Sequence, residues 1–139
     1  MKWDISLEPA DSREVFDAIL LPLRAHSREA SGSDGAYQPL IVTIRDEAGA
    51  VVGGLHGYTL FEYLFVELLA TGPARGQGLV RRMFALAEAE ARRRGCVGVW
   101  LDTFTFQAPL LYPKLGFTEC GRIKDFPPGH DRIFFVKRF

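Results

Sequence analysis

Between Leu64 and Gly95 an apolar run passes through a glycine-rich turn into an amphipathic helix, and this stretch restricts the fold more than any other. Leu64 to Ala70 carries a single charge, Glu67, and reads as a buried strand. Thr71-Gly72-Pro73-Ala74 turns the chain, and Arg75-Gly76-Gln77-Gly78 leads into a helix that Gly95 closes. Glycine lets backbone approach a ligand closely. The first N–H groups of a helix have no internal partner and, with the helix dipole, favour an anion. The same pattern also serves a plain strand-turn-helix connection, so by itself it leaves both readings open.

The helix after Gly78 places Leu79, Val80, Met83, Phe84, Leu86, Ala87 and Ala91 at helical spacing. Glu88 with Arg92 and Glu90 with Arg94 are i, i+4 pairs. Arg92-Arg93-Arg94 suits the negative end of the dipole, which accounts for the triplet without a ligand. Arg81 and Arg82 stand in the first turn, where cations oppose the dipole. A bound polyanion explains them better than helix stability does.

Around this unit the chain alternates strands and helices. Lys2 to Glu8 has period two, with Trp3, Ile5 and Leu7 on one side, and predicts a half-buried strand. Asp11 and Glu14 resemble a capping box, ahead of a helix that Pro22 should kink or divide. Ser27 to Gln38 reads as a flexible loop, long enough to close over a substrate or to be a mobile connection. Leu40 to Arg45 and Val51 to Phe61 predict a hairpin, with a bulge or close approach at Gly53-Gly54. Val97 to Leu101 is a further strand, reached by a crossover that implies a parallel pair. Gln107 to Leu115 predicts a short helix, and Phe117 to Lys124 and Ile133 to Phe139 two last strands. The order predicts an α/β mixed sheet of about seven strands with helices on its faces.

A chain of 139 residues suggests one domain. Seventeen basic residues balance seventeen acidic ones, so no global field points to nucleic acid. No apolar run approaches a membrane span. Cys96 and Cys120 lack metal spacing, suggest no disulfide framework, and make a cytoplasmic location the default.

Arg75-Gly76-Gln77-Gly78, followed one strand later by Leu111-Tyr112-Pro113-Lys114-Leu115-Gly116-Phe117, resembles the GNAT N-acetyltransferase superfamily. The segments Leu101 to Phe104, Gln107-Ala108-Pro109 and Pro127 to His130 resemble a bacterial subgroup of it. The resemblance implies the GNAT acyltransferase fold over residues 1–139, and acetyl-coenzyme A as cosubstrate with no metal. It implies that Arg75, Gly76, Gln77, Gly78 and Val80 surround the pyrophosphate, with Arg81 near coenzyme phosphates. Val80 departs from the usual Gly or Ala and puts a bulkier side chain by the ligand. Leu68, Leu69 and Ala70 fall where the family's splayed strand pairs with the pantetheine arm. Tyr112 falls where the family places the acid that serves the leaving thiolate, and Thr105 stands where an Asn is frequent.

For the base that takes the ammonium proton, Glu67 and Asp102 are the candidates. Each, if buried, has a raised pKa, and each also fits a structural role. His130, and less so His56, can line an acceptor site. The expected activity is direct acetyl transfer in a ternary complex to the amine of a small molecule, by a monomer or homodimer. A protein lysine or N-terminus, or a non-catalytic coenzyme A-binding module, are the alternatives.

Overall fold

Each apolar stretch with period two becomes a strand only where another strand is there to take its backbone hydrogen bonds. A computed structural model describes residues 2–76 and 78–139. They form two compact units, residues 1–35 and 36–139.

In the first unit Lys2 to Glu8 is irregular and exposed, Trp3, Ile5 and Leu7 included. The expected strand is absent: alternation defines a face, but no described strand pairs with this segment. Helix α1, Arg13–Ser31, starts at Ser12 rather than Asp11, because the Ser12 hydroxyl accepts the Val15 N–H. Pro22 lies inside it and does not divide it. The expected loop from Ser27 begins only at Gly32, whose left-handed backbone and N–H bond to the Arg28 carbonyl close the helix.

The second unit holds a six-stranded sheet, one fewer than expected, in the order β1-β2-β3-β4-β6-β5. The strands are β1 (Gln38–Arg45), β2 (Val51–Leu60), β3 (Tyr63–Ala70), β4 (Gly98–Phe104), β5 (Thr118–Lys124) and β6 (Asp131–Arg138). Helix α2 (Leu79–Arg93) crosses from β3 to β4, and α3 (Leu111–Lys114) is shorter than predicted because residues 105–110 form turns. Among the described strands only the β3–β4 pair is parallel. One face of the central strands, carrying Leu64, Val66, Val99 and Leu101, is buried in a core that also holds Met83, Phe84 and Ala87 of α2. Each large apolar side chain buried there contributes about 1.5–3 kcal/mol. The alternate residues place Phe65 and Trp100 on the other face, stacked at 4.2 Å, with Tyr58 edge-on to Phe65 at 5.3 Å.

Two irregularities position the site. His56 pairs with Leu68 but Gly57 pairs with Val66, which leaves Glu67 as an extra residue bulged from β3. Gly57 permits this approach, since a Cβ there would run into the Phe65 carbonyl. The parallel β3–β4 ladder then ends at Val66 and Leu101. Beyond it β3 follows β2, β4 follows β6, and the two central strands part.

The basic end of α2 is structural. Glu90 binds Arg93 at 2.6 Å and Arg94 at 2.7 Å, and the Arg94 guanidinium reaches the Gln38 and Pro39 carbonyls. Glu88 does not take Arg92. It pairs across the fold with Lys137 at 3.0 Å, while Arg92 lies over the Phe139 ring.

Candidate active site

The parting of β3 and β4 opens a cavity of about 560 Å³. Glu67, Leu68, Leu69 and Ala70 form one wall, and Leu101, Asp102 and Thr103 the other. Past Val66 no described strand and no loop backbone takes up the β4-facing edge of β3. That edge therefore offers free peptide groups to a ligand bearing amides.

At one end the cavity meets the glycine-rich turn through Thr71, Arg75 and Val80. The turn runs through a 3₁₀ segment, Gly72–Ala74, and then uses positive φ at Gly76 (80°) and Gly78 (67°), conformations costly for residues with a Cβ. Gly78 caps α2 without a side-chain bond, and the first turn holds no acidic residue. The leading N–H groups of α2 thus remain for an external anion, with Arg75 exposed beside them. Gly76 and Gly78 are open to solvent, and no neighbour crowds the space a Cβ would occupy. Val80 turns its side chain against the core and the cavity, so its bulk is accommodated away from the helix axis. Gln77 lies outside the described residues. Arg81 is not among the cavity's lining. Its Nη2 donates to the Lys114 carbonyl at 3.4 Å.

Tyr112, in the first turn of α3, lines the cavity and is otherwise buried between Phe117 and Phe135. Its hydroxyl makes no hydrogen bond to any described residue. Burial, and secondarily the charge of Asp102, push its pKa above the usual phenol value, so it is protonated and able to donate at neutral pH.

The two carboxylates differ. Asp102 is largely buried, and its Oδ1 accepts the Arg132 Nε–H at 2.8 Å. Arg132 is itself held among the rings of Phe104, Phe126 and Phe134. Glu67 was expected within a buried run but is exposed, because it takes the face opposite the buried Leu64 and Val66. It makes no ion pair or hydrogen bond with a described residue, which leaves its oxygens available at the cavity wall.

Other candidates stand back from the cavity. The Thr105 hydroxyl accepts the Asp131 N–H and lies 3.3 Å from His130 Nδ1. His130 packs edge-on to Phe106, a cavity residue. His56 is exposed on β2, in register with Ile41 and Leu68. Sequence reasoning named Gln107 only within the Gln107-Ala108-Pro109 segment and gave it no role; its Oε1 accepts from the Thr103 hydroxyl and the Phe104 N–H and so fixes the end of β4 at the cavity. Among the described residues no cluster of His, Cys, Asp and Glu is placed to hold a metal ion, and no helix is long and apolar enough to cross a membrane.

A mixed sheet whose central parallel pair divides around a cavity, beside a glycine turn that opens a helix, defines a GNAT-like acyltransferase fold. Residues 6–117 match the model of the Acetyltransferase (GNAT) family, and the chain belongs to that family. It is 38% identical to Acetyltransferase Atu2258 of Agrobacterium fabrum, over 91% of this chain and 92% of that one. It is 42% identical to the Blasticidin-S acetyltransferase of Streptomyces morookaense, over 66% and 68%. The crystal structure of an Agrobacterium tumefaciens protein described as an acetyltransferase superposes with a TM-score of 0.88 at 36% identity, over 99% of this chain and 100% of that one. The activity class that follows is acetyl-coenzyme A-dependent acetylation of an amine-bearing substrate.

Proposed function

We propose that this chain is an N-acetyltransferase for a small-molecule amine, working by direct transfer in a ternary complex. The observation that carries the reading is the divided β3–β4 pair: a free strand edge runs into an anion cradle, with Tyr112 lining the gap. Arg75, Gly76, Gln77, Gly78 and Val80 would hold the pyrophosphate, and Leu68, Leu69 and Ala70 the pantetheine amides. Acetyl-coenzyme A supplies the activated acyl group. Glu67 takes the ammonium proton, directly or through water, since it is the unpaired carboxylate of the two. Tyr112 donates to the departing sulfur. Asp102, tied to Arg132, orients this wall instead of accepting the proton. Arg81 meets the coenzyme phosphates only by leaving the Lys114 carbonyl.

The family match spans both compact units, which supports one acetyltransferase domain over residues 1–139. Two unpaired cysteines fit a reducing cytoplasm. The relative that acetylates blasticidin S supports a small acceptor over a protein one. The test is thiol release from acetyl-coenzyme A over a panel of blasticidin S, simple amines and lysine or N-terminal peptides. Turnover confined to small amines is expected. Turnover only on peptides would replace the acceptor class, and tight coenzyme A binding with no turnover on any amine would favour a non-catalytic module.

A further inference from the structure

The face of the sheet turned away from α2 carries a row of aromatic rings that leads to the cavity wall. Tyr37 lies 5.0 Å from Tyr58, Tyr58 5.3 Å from Phe65, and Phe65 stacks on Trp100 at 4.2 Å. Tyr58, Phe65 and Trp100 are half-buried, so their rings are held in place yet accessible at one side. Phe65 precedes Glu67 by two on β3, and Trp100 precedes Asp102 by two on β4. Two residues along a strand is a step of about 7 Å on the same face. The row therefore ends at the two carboxylates of the cavity. Burial, then Tyr37 and lastly the charge of Glu67 raise the Tyr58 pKa, so the carboxylate lies within electrostatic reach of the rings. Because Arg132 neutralises Asp102, the net charge at this end belongs to Glu67.

We propose that the row Tyr58–Phe65–Trp100, ending at Glu67, is the acceptor platform, and that it selects small cationic amines built on a planar ring. This rests on the acetyltransferase reading above. Ring faces are electron-rich and favour a stacked planar group and a nearby cation. Glu67 attracts the ammonium form on arrival and is placed to remove its proton. An anionic group on the acceptor would meet the Glu67 carboxylate, which makes no ion pair with a described residue.

The test compares benzylamine, hexylamine and 4-(aminomethyl)benzoate as acceptors, with coenzyme A binding followed by calorimetry. Trp3 and Trp100 are the two tryptophans, so a Trp3→Phe background makes Trp100 the reporter of ring stacking. Benzylamine is expected to exceed hexylamine in kcat/KM by about 3- to 10-fold, to quench Trp100 saturably, and to exceed the benzoate. Tyr58→Leu and Trp100→Leu should bring the benzylamine to hexylamine ratio towards one while coenzyme A affinity stays at the parent value. Tyr58 lies further from the cavity, so its variant keeps the test alive if Trp100→Leu does not fold. Equal kcat/KM for benzylamine and hexylamine without quenching, or a preference retained in both variants, overturns the platform. Saturable quenching by benzylamine with no turnover of any amine upholds the platform and overturns the catalytic reading instead.

Discussion

Tyr112 and Asp102 can be separated by their effects on pH dependence. A phenol donates to a thiolate only while protonated, so the rate must fall once pH rises past its pKa. Burial and the Asp102 carboxylate both raise that pKa. Tyr112→Phe should lower kcat about 100-fold or more, with little change in the KM for acetyl-coenzyme A. Asp102→Asn removes a negative charge and leaves the Arg132 guanidinium uncompensated. Both changes favour the phenolate, so the alkaline limb of the kcat profile should move to lower pH, with activity near neutrality largely kept. If Asp102 were the base, the same variant would abolish activity at every pH. That Tyr112 and Glu67 stand out was legible from the sequence, one through the motif around it and the other as the lone charge in an apolar strand, and both line the cavity. The difference between Glu67 and Asp102 was not legible. It depends on Arg132, thirty positions away, which β4–β6 pairing brings alongside Asp102.

At the scale of elements, the turn before α2 and the end of α2 make different demands. Gly78 caps the helix with φ 67°, so any Cβ costs about 1–2 kcal/mol there. In Gly78→Glu a carboxylate at the helix N-terminus offsets part of that cost through the dipole, but it occupies and repels the phosphate position. Coenzyme A binding should weaken about tenfold or more by calorimetry, with a small change in melting temperature. Loss of both together would mean that Gly78 serves the fold instead of the ligand. At the other end, Glu90 is held by Arg93 and Arg94, and its pKa is lowered from 4.5 to about 2. A depressed carboxylate contributes stability above its unfolded pKa and loses it as pH falls towards the folded value. Thermal melts should therefore show an acid-side loss between about pH 5 and 2 that Glu90→Gln makes smaller. The elements themselves were largely legible, since the β1–β2–β3 meander, α2 and the parallel crossover follow from periodicity and turns. The bulge at Glu67 and the idle N-terminal segment were not, because both depend on which strand stands alongside rather than on the residues in the strand itself.

The whole molecule has no net charge, so long-range attraction for a polyanionic ligand is weak and its recognition must be local. The cavity is nonetheless polarised, with Arg75 and the α2 N-terminus at one end and Glu67 at the other. Two halves of coenzyme A should then respond differently to salt. In the proposed pose the phosphates would sit against exposed cationic groups, screened over about 8–10 Å at moderate ionic strength. The pantetheine arm would pair with strand edge and apolar wall, which salt hardly affects. A ligand that binds only the folded state raises the melting temperature in proportion to its saturation. The rise produced by coenzyme A should shrink as sodium chloride goes from low to high concentration, whereas the smaller rise produced by pantetheine alone should hold. Equal salt sensitivity for both would place the phosphates elsewhere than the turn between Ala70 and Leu79. A salt-insensitive response to coenzyme A would show that Arg75 and the helix N-terminus contribute nothing to its binding.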